Sequence, residues 1–196
     1  TRVAAGMLAP VGELDFGEPE LLEMNLVSRE MYPEFITGLE AATGLDTGYR
    51  HTGALHVALD RDEAGELRRI MELQQSYGLE SKWLGPMATR DLEPGVSPSL
   101  AGAILVEDDA VVDPRALVEA LRAGLPDRGV RIERAGVTAV SIGSGGLVEG
   151  VVTSAGPFTS GTVVAAPGAE AGVAEWIPEE VRPPVRPVKG QTVELR

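Results

Sequence analysis

The chain has 196 residues, a formal net charge of −13 and 43% hydrophobic side chains, which is enough for one large domain or two small ones and argues against global disorder. With 17 Lys and Arg against 30 Asp and Glu and no basic cluster, a nucleic-acid partner is excluded. Cysteine is absent, so disulfides, thiolate metal sites and Cys nucleophiles are excluded and a reducing cytoplasmic setting fits; no apolar run reaches bilayer length, so no membrane partner is expected.

Residues 1–10 are small and apolar, and the polar turn from Gly12 to Gly17 leads into a long helical pattern. Leu21, Leu22, Leu26, Met31, Phe35 and Leu39 fall on one face, Gly44 supplies the stop, and Pro33 predicts a kink or a division. Gly53 to Leu59 alternates as a strand. Asp60 and Asp62 open a second helix to about Tyr77, with Leu67, Ile70, Met71 and Gln74 on one face and Gly78 closing it. Trp83-Leu84 predicts a short strand, a short helix ends before Pro94, and Ala101 to Val106 is another strand.

At Asp113-Pro114 a capping Asp precedes Pro at the first helical position, and Ala116, Leu117, Ala120 and Leu121 form the stripe of a helix reaching about Leu125. Val130 to Glu133 follows as a strand. Val137 to Val140, Leu147 to Thr153 and Pro157 to Val164 are spaced as a β-meander. Thr162 to Ala166 ends in a tight strand exit at Pro167-Gly168, and Val185 to Leu195 predicts a strand entered through prolines. Helices and strands mix throughout, with no internal repeat, so the class is mixed α and β. The chain starts at Thr1 without a methionine and stops at Arg196 inside a strand-like stretch, so both ends read as cut.

No catalytic or metal-binding side chain is assigned from these residues. There is no G-x-G-x-x-G, and Gly-Lys never occurs, which removes the Walker sequence. Asp60-Arg61-Asp62 with Gly65 has Ala64 where a calcium loop needs a ligand, so helix capping is the reading. His51 and His56 lie five residues apart and face opposite sides of a strand, so they cannot share a metal. Ser141 and Ser144 sit in a turn without a nearby base.

Five segments, in order, resemble the glycine oxidases, flavoenzymes of the D-amino-acid oxidase family that include the thiamine-biosynthetic type. Ala4-Ala5-Gly6-Met7-Leu8-Ala9-Pro10 before a long helix resembles the stretch after the family's first βαβ unit. Tyr49-Arg50-His51-Thr52-Gly53-Ala54-Leu55, then Trp83-Leu84 with Leu92-Glu93-Pro94, resemble its next two segments. Asp108-Asp109 with Val112-Asp113-Pro114, and Arg186-Pro187-Val188-Lys189-Gly190-Gln191, resemble the last two.

The resemblance implies part of a Rossmann-like FAD-binding domain interrupted by a substrate domain with an antiparallel sheet. On that template residues 1–42 end the first FAD-domain segment, 43–110 belong to the substrate domain, 111–184 return to the FAD domain and 185–196 re-enter the substrate domain. It implies oxidation of a small amino acid (glycine, sarcosine or a small D-amino acid) with oxygen as acceptor. An FAD-dependent amino-acid dehydrogenase and a non-catalytic fragment stay open as alternatives, as does a homo-oligomer. The family's dinucleotide fingerprint and its substrate-anchoring arginine and tyrosine are expected before Thr1 and after Arg196.

Ala5, Gly6 and Met7 match the backbone that approaches the isoalloxazine ring, with Met7 also facing substrate; a small-residue turn under a helix is the alternative. Thr1 matches a cofactor-contacting hydroxyl. Val137 matches the position beside the adenine, or is an ordinary strand residue. Ala165, Ala166 and Gly168 match the turn near the pyrophosphate, with departures: Pro167 lies inside it, and Glu170 and Ala171 replace the family's usual Trp and Ser. Lys189 is not assigned a role.

Overall fold

A computed structural model of the chain describes residues 4–191. Its elements run β1 (Met7–Leu8), α1 (Pro19–Thr43), β2 (Ala54–Ala58), α2 (Arg61–Ser76), β3 (Lys82–Leu84), α3 (Pro86–Leu92), β4 (Gly102–Val106), β5 (Ala110–Val111), α4 (Pro114–Gly124), β6 (Val137–Ile142), β7 (Val148–Thr153) and β8 (Gly156–Thr159). Two compact units divide the chain, Thr1–Val130 and Arg131–Arg196. No helix among the described residues is long and apolar enough to cross a membrane.

The starts of α2 and α4 lie where their capping residues place them. Asp60 Oδ1 accepts the Asp62 and Glu63 amides at 2.9 Å each, and Glu63 Oε2 reaches back to the Leu59 amide at 2.7 Å, so the first turn of α2 keeps its otherwise unpaired N–H groups satisfied. Asp113 does the same for α4, accepting from Arg115 N at 2.8 Å and Ala116 N at 3.2 Å. Asp113→Ala is expected to cost about 1 kcal/mol, read as a lower urea midpoint with unchanged slope.

In the first unit β2, β4 and β3 form an antiparallel sheet with β4 in the middle, registering His56 and Trp83 on either side of Ile104. Val11, Ile104 and Val106 form the buried centre, with Leu26, Leu67, Met71, Leu79 and Trp83 packed on it. A Cβ on Gly102 would stand 2.3 Å from the Trp83 ring, so a glycine is needed for the indole to lie against β4. The Arg68 guanidinium covers that indole, 4.0 Å from its centroid. In the second unit β6, β7 and β8 make the expected antiparallel meander.

The structure corrects several local expectations. Pro33 lies inside α1 without dividing it; buried Leu22 before it and buried Ile36 and Leu39 after it anchor both halves, and tertiary packing outweighs the lost backbone bond. The buried face of α1 also differs from the one expected, since Leu21, Met31 and Phe35 are exposed. Val130 to Glu133 is not a strand, and Arg131 instead pairs with Glu133, Nε to Oε1 at 2.9 Å. The third meander strand stops at Thr159, so Thr162 to Ala166 is unpaired and Pro167 caps a 3-10 helix, Gly168–Val173. Residues 185–191 form no strand, and the rest of that predicted strand lies outside the described residues. For these three expected strands the apolar pattern is present but no neighbouring strand pairs with it among the described residues.

Candidate functional site

The segment from Gly6 to Gly12 is held from behind by groups distant in sequence. β1 pairs antiparallel with β5, Met7 opposite Val111 and Leu8 opposite Ala110, and the Val112 amide donates to Gly6 O at 2.8 Å. On its other side β5 is bridged to Arg50, with N–H···O bonds of 2.8 and 2.9 Å in the two directions. Gly6 has φ +83, and a Cβ there would lie 2.0 Å from Val112 O and 3.1 Å from the Pro114 ring. Only glycine fits this backbone and this approach. The Ala5 and Gly6 amides donate to no described residue, and the Met7 side chain is 57% exposed.

Asp109 completes the brace. Its carboxylate is 1% exposed and accepts from Val11 N at 3.3 Å and Gly12 N at 2.9 Å. A Cβ on Gly12 would lie 2.5 Å from His56 Nε2 and 2.6 Å from Asp109 Oδ2, so the imidazole, the carboxylate and the bare glycine backbone meet at one point. Burial raises the Asp109 pKa, and the two amides and the positive fields of His56 and Arg29 oppose that rise. Gln74, also buried, donates from Nε2 to Val11 O at 2.9 Å. The sequence expectations placed Gln74 on the inner face of α2 but assigned neither it nor Asp109 a task. Asp108 and Asp109 are locally alike; only the long-range partners separate them.

In front of this brace lies a cleft of about 210 Å³ between β1 and α1. Met7, Leu8, Ala9 and Pro10 line one side, and Asn25, Ser28, Arg29 and Tyr32 line the other. Tyr32 and Tyr49 lie 5.8 Å apart by ring centroid, and burial, then the neighbouring Tyr49, raises the Tyr32 pKa.

The other residues singled out from sequence lie elsewhere. Val137 opens β6, half-buried opposite Thr153. Ala166 is exposed, and Gly168, with φ +68, starts the 3-10 helix. These three belong to the second unit, whereas Ala5, Gly6 and Met7 belong to the first. Thr1 lies outside the described residues. His51 precedes β2 and is hydrogen-bonded through Nε2 to Asp108 O at 3.2 Å, while His56, on β2, meets Asp109 at Gly12, so the two do not share one strand as expected.

The model of the FAD dependent oxidoreductase family matches residues 1–196. This chain belongs to that family. It is 34% identical over 197 residues to the bifunctional protein ThiO/ThiG of Synechocystis, covering 100% of this chain and 27% of that protein. The crystal structure of glycine oxidase from Geobacillus kaustophilus superposes with a TM-score of 0.80 at 28% identity, covering 87% of this chain and 46% of that one. Glycine oxidase from Bacillus cereus gives 0.76 at 32% identity, covering 85% and 44%. The chain thus spans about a quarter of the curated relative and under half of each solved enzyme. The fold class read from sequence holds: helices mixed with antiparallel sheets, in the fold of the glycine oxidases.

Proposed function

We propose that this chain is part of a glycine-oxidase-like flavoenzyme that oxidises a small amino acid, glycine, sarcosine or a small D-amino acid, to an imine with oxygen as electron acceptor. The observation that carries the reading is a peptide segment braced on one side and bare on the other. Residues 6–12 are tied down by Val112, Asp109 and Gln74, while the Ala5 and Gly6 amides donate to no described residue and the Met7 side chain is exposed, as a ligand site requires. When bound, FAD supplies the two-electron acceptor for the reaction. The Ala5 and Gly6 backbone would approach the flavin ring, because no side chain intervenes, and Met7 forms a soft wall towards the amino acid. Val137 would meet the adenine end, and Ala166 and Gly168 the pyrophosphate. At that turn Pro167 offers no N–H and Glu170 brings a negative charge, so fewer phosphate contacts are expected there than in other members. Residues 43–110 are assigned to the substrate domain and 111–184 to the FAD domain.

Visible absorption tests the reading. Flavin bands near stoichiometry, together with peroxide release on adding glycine or sarcosine, are the expected result. Reduction of an artificial acceptor without peroxide would replace the oxidase with a dehydrogenase. A colourless protein that binds no added FAD would leave a non-catalytic fragment.

A further inference from the structure

The Val11–Gly12 end of the braced segment is gripped by side chains from three later parts of the chain. Gln74 on α2 donates to Val11 O at 2.9 Å. Asp109, between β4 and β5, accepts the Val11 and Gly12 amides at 3.3 and 2.9 Å. His56 on β2 is the third: its Nε2 and Asp109 Oδ2 stand 2.5 and 2.6 Å from the point where a Gly12 Cβ would be. With glycine there, the imidazole edge and the carboxylate converge on bare backbone.

Asp109 is buried, and each of its oxygens accepts a backbone N–H, an arrangement that favours the ionised form. A buried carboxylate calls for a positive charge beside it. Arg29 on α1 contributes its field, but its guanidinium is paired with Asp108, Nη1 to Oδ2 at 3.7 Å. The half-buried His56 imidazole hydrogen-bonds to no described residue, and imidazole is the side chain whose charge changes near neutral pH. Around the pair, Gln74 and Ile104, the partner of His56 across β2 and β4, are uncharged. Glu13, next to Gly12, is exposed. Arg68 on α2 covers Trp83, which lies on the far side of Ile104. His51 precedes β2 and meets the Asp108 carbonyl.

We propose that His56 is a positioning residue for the flavin-facing segment: its imidazolium pairs with Asp109 at Gly12, and loss of that proton loosens the hold on residues 6–12. The segment is held most firmly below the His56 transition and is released as pH rises through it. The flavin part of this proposal rests on the flavoenzyme reading above; the imidazole–carboxylate pair does not.

Two measurements test it. Proton NMR follows the His56 imidazole across pH, with His51 as the reference and His56→Gln to assign the signal. In wild type His56 is expected to keep its proton above the ordinary midpoint of about 6.5, and in Asp109→Asn its proton affinity falls by about tenfold while that of His51 holds. A wild-type midpoint at or below about 6.5, or an equal midpoint in Asp109→Asn, overturns the pair. FAD affinity of the intact protein is then measured by flavin fluorescence over the same range. Wild type is expected to bind about fivefold more tightly below the His56 transition than above it, and His56→Gln to lack the step. A wild type without the step, or a step that persists in His56→Gln, overturns the positioning role. The shifted His56 titration in a protein that binds no FAD would keep the pair and sink the flavoenzyme reading instead.

Discussion

Gly6→Ala is expected to cost about 3 kcal/mol of folding stability, from a left-handed backbone penalty of about 1–2 kcal/mol and an overpacking penalty of about 1–3 kcal/mol. The new methyl would stand 2.0 Å from Val112 O, and that oxygen belongs to backbone that Arg50 and the capped start of α4 hold on either side. The chain cannot yield without breaking the Val112–Gly6 hydrogen bond of 2.8 Å, which would release the Ala5–Met7 segment from its brace. Gly17 provides the internal control, because its φ of +92 is similar but nothing lies within 4 Å of its Cβ position. Gly17→Ala should therefore show the conformational part alone, about 1 kcal/mol. Urea unfolding of both variants separates the two contributions. Equal losses at the two sites would show that no steric wall stands behind Gly6. On the proposed flavin reading, the Gly6 variant is also expected to lose FAD on gel filtration while the Gly17 variant retains it.

What was legible in the sequence is what local chemistry specifies. Asp60 and Asp113 announce α2 and α4 because a carboxylate just ahead of an apolar stripe bonds amides two and three residues on. Groups paired over long distances were hidden. Asp109 reaches Val11 and Gly12 across 98 and 97 residues, and Gln74 reaches Val11 across 63. β1 and β5 are two residues each, too short to show a period. The reverse error has the same cause. Val130 and Ile132 alternate as a strand should, but they stay 45% and 59% exposed, because alternation specifies a face and never supplies the strand that pairs with it.

Asp109→Asn is expected to destabilise the protein by about 2 kcal/mol at neutral pH, because the amide can accept from only one of the two N–H groups and turns its own donors towards the other. The pH dependence decides which force governs the native carboxylate. Burial raises its pKa in the folded state above the ordinary 3.8, so the folded protein binds the proton more tightly than the unfolded chain does. By linkage, wild-type stability from this group is then highest in acid and falls as pH rises through the window from 3.8 to the raised folded value. Asn does not titrate, so the deficit of Asp109→Asn relative to wild type should grow on acidification through that window. Asp46 has the opposite sign, its pKa lowered by the Arg50 side chain and then the Gly48 amide, but it is present in both proteins and cancels in the difference. A deficit that shrinks in acid would mean that the Val11 and Gly12 amides, with the charges of His56 and Arg29, outweigh burial. Repeating the comparison in a His56→Gln background removes the imidazole that meets the Asp109 carboxylate at Gly12. If the acid-dependent deficit survives there, the slope belongs to the buried carboxylate that holds the Met7 segment in place.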